Sequence, residues 1–317
     1  MSKITVVTAC FNSRAFIGDT VASVRNQDIS DWEHIVVDDG SIDGTSDVVS
    51  EIAQVDSRVR IVKQSNAGTC RARNLGASMC SADCQYLLFL DHDDMLEPGA
   101  LRVLSNYLDG HPDVGVVGCQ FQEVDADGTH PRPKTRSRWA PSKLGIPRSL
   151  SPEEYETPFA TFYCATGQGP FAMFRRSIFE QVGGWTTEFW PHEDTDLFCK
   201  MALLGKVHYL PDRLYRKRIH QTNALKDIDR LMNAYGAFRE KWDRFEPRNV
   251  EEAETIREAA HFYRASFRPL RHVKVGTKAL GEFVRHGDTE KLRWALRLFG
   301  TAARDAVRYR ISSMSIL

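Results

Sequence analysis

The first hundred residues repeat one unit: a short apolar run, a polar cluster where the run stops, then apolar residues at helical spacing. The runs are residues 4–8, 33–37, 59–63 and 86–90, and between them come Ile17, Val21 and Val24, then Val48, Val49 and Ile52, then a helix over 69–79. The runs at 4–8 and 86–90, short and apolar, suit buried strands, while 33–37 and 59–63 read as strands that carry polar residues as well. Strands separated by helices at this spacing make a parallel sheet with right-handed crossovers, an α/β fold. Ligands of such sheets sit beyond the carboxyl ends of the strands. The clusters at 8–12, 38–41 and 91–94 all fall on that edge.

The stretch Tyr86-Leu-Leu-Phe-Leu-Asp-His-Asp-Asp-Met-Leu96 is the most informative of these units. Asp91 and Asp93 are two apart, so in an extended chain they project to the same side. Converging carboxylates repel unless a cation lies between them, which points to a divalent metal with oxygen ligands. The competing reading is a plain acidic loop in which Asp94 caps a helix starting near Pro98. Two nucleotide-binding classes are excluded. No Gly-x-Gly-x-x-Gly follows the first strand, and no Gly-x-x-x-x-Gly-Lys-Ser/Thr occurs in the chain.

Composition narrows the partners. Lys plus Arg equals Asp plus Glu at 42 each, so no global charge points to nucleic acid. The seven Cys are odd in number and irregularly spaced, as expected of reduced thiols, and Cys80 and Cys84 lack the second ligand pair of a zinc site. Met-Ser-Lys leads straight into an apolar run too short for a signal peptide, and nowhere do 18 apolar residues run together. A soluble, cytoplasmic protein is the expectation.

Several motifs in one order carry a family resemblance. They are Val6-Val-Thr-Ala-Cys-Phe-Asn12, Val36-Val-Asp-Asp-Gly-Ser41, Asn66-Ala-Gly68 with Ala72-Arg-Asn74, and Phe89-Leu-Asp-His-Asp-Asp94 before Pro98-Gly-Ala-Leu101. Together they resemble the nucleotide-sugar-binding half of family 2 glycosyltransferases, which have the GT-A fold. Thr8 departs from the proline that members often carry. The resemblance implies a Rossmann-like, mostly parallel sheet flanked by helices. It implies a nucleoside-diphosphate sugar held by Ala9, Phe11, Asn12, Asp39, Gly68, Arg73, Asp91 and His92, with Asp39 reading the base. It also implies Mn²⁺ or Mg²⁺ on the pyrophosphate, with Asp93 the direct ligand and Asp91 supporting it. For Arg73 a helix-surface salt bridge remains the alternative to a phosphate contact.

Beyond residue 125 the pattern changes. Residues 127–161 hold Pro131, Pro133, Pro141, Pro147, Pro152 and Pro158, with a basic set of Arg132, Lys134, Arg136, Arg138, Lys143 and Arg148. Such a loop either contacts acceptor or diphosphate, or is a solvated insert. His192-Glu-Asp-Thr-Asp196 then precedes Leu197, Phe198, Met201 and Leu204 at helical spacing. Acidic residues suit a first helical turn, but here they follow Gly183-Gly-Trp185 and Phe189-Trp190. In the family the same arrangement closes the catalytic pocket, which implies Asp194 as the base and Glu193 as an acceptor or orienting contact. Trp185 and Trp190 are either sugar platforms or core. His220 matches a position where related enzymes carry a His near the diphosphate, and it is grouped with the metal ligands.

The expected organisation is a donor half over 1–125, an acceptor and catalytic half over 126–224, and a helical region over 225–317. Residues 261–317 hold twelve Lys or Arg against four Asp or Glu, interleaved with apolar residues. That stripe fits peripheral contact with an anionic membrane, packing on the catalytic domain, or a homodimer interface. The Gln-x-x-Arg-Trp signature of processive members is absent, so the resemblance implies single-sugar transfer to a glycan, lipid-linked or small-molecule hydroxyl. The rivals are a non-catalytic nucleotide-sugar-binding partner subunit and a nucleotidyltransferase.

Overall fold

A computed structural model of the chain describes residues 2–130, 171–220 and 228–250, with isolated helical positions between 252 and 296. The chain divides into two compact units, Met1–Phe245 and Glu246–Leu317, and the account below concerns the first. Most of the Pro-rich basic segment, and the basic stripe over 261–317 apart from scattered positions, lie outside the described residues.

In β1 (Ile4–Cys10) and β2 (Trp32–Asp38) every residue is buried. Alternation assigns their side chains to two cores. Ile4, Val6 and Cys10 join Val36, Tyr86 and Leu88 on one face, under α1 (Ile17–Arg25) and α4 (Ala100–Gly110). On the other face Val7 meets Leu87, Phe89, Phe174, Trp185 and Phe198. The remaining parallel strands are β3 (Val59–Lys63) and β4 (Tyr86–Phe89), with α2 (Thr45–Val55) and α3 (Thr69–Ser78) as crossovers. α3 lies close to the sheet because Gly76 faces it: a Cβ there would come within 2.4 Å of Val7.

The second half of the sheet is mixed. It contains the two-residue β5 (Met95–Leu96), then β6 (Val114–Val124), β7 (Ala172–Arg175) and β8 (Lys206–Arg218). The strand order is β3-β2-β1-β4-β7-β6-β8-β5. β7 runs antiparallel to both β4 and β6, while β6 and β8 are parallel. Three further helices lie among the described residues: α5 (Arg176–Gln181), α6 (Glu193–Ala202) and α7 (Ile228–Asp243). β8 is long because its polar second half pairs with β6 and then with β5. That length carries the chain from the far side of the sheet to the carboxyl ends of β1 and β4, and His220 arrives there with it. Among the described residues no helix is long and apolar enough to cross a membrane.

Candidate active site

Three loops at the carboxyl ends of β1, β2 and β3 form the first wall. Ala9 is buried near the end of β1, whereas Phe11, just past it, is 46% exposed. Asn12 takes a left-handed conformation, φ 49°, and its side-chain oxygen accepts from the backbone N of Ile42. Asp39 is buried, and its carboxylate accepts from Gln64 Nε2 at 2.7 Å and from the backbone N–H groups of Ala67 at 2.8 Å and Gly68 at 2.9 Å. Gly68, at φ 93°, allows the chain to turn back over that carboxylate before α3 begins.

The second wall is the acidic loop between β4 and β5. One oxygen each of Asp91, Asp93 and Asp94 lie within 4.8 Å of one another. The loop is tied down by β8. Asp94 is buried and accepts the backbone N–H of Arg218 at 2.8 Å, so it is held by β8 and does not cap α4, whose N-cap is Gly99. The Arg218 guanidinium, itself buried, donates to the carbonyls of Asp93 and Ala126 and to Asp19 on α1. His220 Nε2 stands 2.8 Å from Asp93 Oδ2, and its ring lies 4.5 Å from that of Phe16. The His92 carbonyl accepts from Thr20 at 2.9 Å.

Arg73 joins this loop to the third wall. It is a buried residue rather than a surface one, and its guanidinium lies over the Trp185 ring, 4.4 Å from the centroid. One Nη donates to Asp91 at 2.6 Å and the other to Glu193, in the first turn of α6, at 3.4 Å. The neighbouring Asn74 makes two bonds with the backbone of Trp185, donating to its carbonyl at 2.8 Å and accepting its N–H at 2.9 Å. Gly184 leaves room for that pair, since a Cβ there would lie 2.6 Å from the Asn74 oxygen. Trp185 belongs to the core, buried edge-on against Phe89 at 5.0 Å, and among the described residues its indole Nε1 has no hydrogen-bond partner. Trp190 is only partly buried, and the Arg230 guanidinium lies 4.1 Å from its ring centroid.

The electrostatics divide the carboxylates. Burial opposes the charge on Asp91, but Arg73, Lys217 and His92 outweigh it and hold the carboxyl below its ordinary value. Burial, then repulsion from Asp93 and Asp91, pushes Asp94 well up. Glu193 is raised from 4.5 to about 7, by burial first and then by Asp194, with Arg73 pulling the other way. Burial also raises Asp194, against the hydrogen bonds from Thr195. Thr195 reaches only Oδ1 of Asp194, through its N–H at 2.7 Å and its hydroxyl at 3.3 Å.

The oxygen-rich donor set suits a hard divalent cation. Positive charge for the three clustered acids is supplied here by Arg73 and Lys217. Asp93 and Asp91 could hold such an ion, while Asp94 is engaged by the Arg218 backbone. Because His220 also touches Asp93 Oδ2, it is placed either as a ligand or as the group orienting one.

The structure thus brings Arg73, Asp91, Asp93, Glu193 and His220 into one chain of contacts. Asn12, Asp39 and Gly68 stand together on the neighbouring loops, through contacts of their own. Sequence reasoning missed Arg218, Asn74 and Asp196. Asn74 was visible inside its motif with no stated task, while nothing around Arg218 distinguishes it from the other basic residues of Tyr215-Arg-Lys-Arg218.

Comparison with known proteins gives a consistent picture. The family profile described as "Glycosyl transferase family 2" matches residues 5–183. The chain is 28% identical over 209 residues to the O-antigen biosynthesis protein RfbC of Myxococcus xanthus, covering 65% of this chain and 15% of that protein. It is 26% identical over 187 residues to the glycosyltransferase EpsJ of Bacillus subtilis, covering 56% and 49% respectively. The chain therefore spans half or less of these two relatives. Among solved structures, S. aureus TarS in complex with UDP-GlcNAc superposes with a TM-score of 0.65 at 18% identity, covering 96% of this chain and 81% of that one. Mannosyltransferase PcManGT from Pyrobaculum calidifontis, in complex with GDP-Man and Mn²⁺, gives 0.61 at 20% identity, covering 98% and 83%.

Proposed function

The chain belongs to glycosyl transferase family 2 and has the GT-A fold, and from that premise we propose that it moves one sugar from a nucleoside-diphosphate sugar to a hydroxyl acceptor, inverting the anomeric carbon. The observation that carries the reading is Arg73, whose single guanidinium spans the strand-end aspartates and the first turn of α6. In this reading the diphosphate site lies on one side of Arg73, and the helical turn that carries Glu193 and the base Asp194 lies on the other.

In this reading Ala9, Phe11, Asn12, Asp39 and Gly68 receive the nucleoside, with exposed Phe11 offering a ring face to the base. Arg73, Asp91 and His92 take the diphosphate. Mn²⁺ or Mg²⁺ would be held by Asp93 and Asp91 with His220 beside them, and when bound it supplies positive charge against the departing diphosphate. Asp194 takes the proton from the acceptor hydroxyl at Oδ2, since Thr195 engages Oδ1. Its raised pKa makes it a stronger base than an exposed aspartate, while Arg73 pulls both Glu193 and Asp194 back down against burial. Glu193 orients the acceptor. The names of its relatives, O-antigen and teichuronic acid proteins among them, support a place in bacterial polysaccharide or glycoconjugate synthesis.

The test is release of nucleoside diphosphate from UDP-GlcNAc, GDP-mannose and other nucleotide sugars, with and without Mn²⁺ or Mg²⁺. Metal-dependent release, lost in Asp194→Asn, is expected. Pyrophosphate release from a nucleoside triphosphate, with no turnover of any nucleotide sugar, would make the protein a nucleotidyltransferase and overturn the reading.

A further inference from the structure

Asp196, two residues beyond the base, is fully buried and has no task in the mechanism above. Its Oδ2 accepts from Lys241 Nζ at 2.9 Å and faces Lys200 Nζ at 3.5 Å, while its Oδ1 accepts from the Trp242 indole at 3.0 Å. Lys241 and Trp242 are adjacent on α7, so one helix supplies a donor to each oxygen. The same helix presses on the turn before α6. Phe238 meets Phe189 edge-on at 6.2 Å and lies 6.1 Å from the His192 ring, and the Lys241 ammonium stands 5.7 Å from the Phe189 centroid. His192 is the left-handed residue, φ 85°, from which α6 starts. On the opposite side Lys200 donates to the Gly184 carbonyl at 2.6 Å, in the turn that Asn74 fastens to α3.

Burying a carboxylate is costly unless good partners surround it, and an apolar contact would dock α7 on α6 without that cost. What the charged cluster adds is direction. Hydrogen bonds to both oxygens fix the rotation and the axial position of the first turn of α6, where apolar packing fixes only proximity. A catalytic base needs that, since productive geometry tolerates roughly 0.5 Å of error. The cluster also lies beyond the stretch that the family profile matches, which ends at residue 183.

We propose that Asp196, Lys241 and Trp242 are positioning residues that fix the base on α6, making α7 part of the transfer machinery rather than a trailing helix. The inference rests on Asp194 being the base. It divides kinetics from binding: the donor site is built by β1–β4, α3 and the end of β8 and meets α6 through the long Arg73–Glu193 bond, so loosening α7 should lower kcat before it weakens donor binding.

The test uses the full chain with Lys241→Met and Trp242→Phe, Lys241→Arg as the conservative rescue, and Asp194→Asn as control. Nucleoside-diphosphate release is followed with whichever of UDP-GlcNAc and GDP-mannose the wild type turns over in Mn²⁺. A misplaced catalytic group of order 1 Å costs on the order of 10²-fold, so kcat should fall about tenfold or more in both variants. The donor KM should stay within about twofold and Lys241→Arg should recover most of the rate. Hydrogen exchange should quicken at 193–197 and not in β1–β4. Both variants keeping wild-type kcat, or losing donor affinity and kcat together, would overturn the proposal. If Asp194→Asn alone keeps its rate, the base assignment fails while the exchange readout still judges the fastening.

Discussion

Asp91 and Glu193 reach the same guanidinium, Arg73, yet their carboxyls are displaced in opposite directions. The strand-end cluster sits among Arg73, Lys217 and His92, and cationic surroundings outweigh burial for Asp91. In the first turn of α6 burial comes first and a second carboxylate comes next, so Glu193 is raised to about 7. Both regions are acidic in sequence, but their environments make one a place to hold charge and the other a place to accept a proton. When pKa values of similar groups are pushed apart in one site, acid–base roles can be assigned from the separation. In the proposed mechanism the comparison is between leaving-group stabilisation at β4 and hydroxyl activation at α6.

Removing the proton acceptor should have the largest effect. Asp194→Asn should lower kcat by on the order of 10²–10⁴-fold in a single-turnover assay, the usual contribution of a general base. Comparable rates in the two proteins would erase the distinction between the regions.

The second effect is a pH dependence of stability. Glu193 binds its proton more tightly folded than unfolded, so its contribution is fully present below pH 4.5 and is lost as pH rises through about 7. Glu193→Gln should therefore flatten the loss of Tm across that window, with the variant the more stable protein at pH 8 and little different at pH 4. Parallel Tm curves for variant and wild type would mean that Glu193 is not raised. The pH–rate profile should show an acid limb that belongs to the Glu193–Asp194 pair rather than to either residue alone.

The smallest effect concerns the joint between the regions. Asn74→Ala removes both bonds to the Trp185 backbone and should destabilise the protein by about 1–3 kcal/mol in urea unfolding. A change below about 0.5 kcal/mol, the range of ordinary surface substitutions, would show that Asn74 is not fastening that turn.

The two regions also differ in how far they could be read in advance. β1, β2 and β4 follow from their apolar residues, because strands buried on both faces leave a strong composition signal, and the half-buried edge strand β3 follows from its place in the repeat. The polar rim was legible for the same reason, since each run stops at a cluster. β7 and the outer half of β8 were not, because Ala172–Arg175 is too short to show a period and Asp212–Arg218 is too polar. Tertiary pairing with β6 decides both. Arg218 illustrates the limit most clearly. Its role arises from Asp93, Asp94, Asp19 and Ala126, which local patterning cannot bring together. Asp196 looked like one more acidic residue in a first turn, and only α7 shows what its charge meets.

The division of labour between the two regions is tested most directly by calorimetric titration of UDP and GDP, each with and without Mn²⁺, into wild type, Asp93→Ala and Asp194→Asn. The account predicts metal-enhanced binding in wild type, retained in Asp194→Asn and lost in Asp93→Ala. Binding in Asp93→Ala that keeps its response to Mn²⁺, or an Asp194→Asn variant that loses it, would contradict the account.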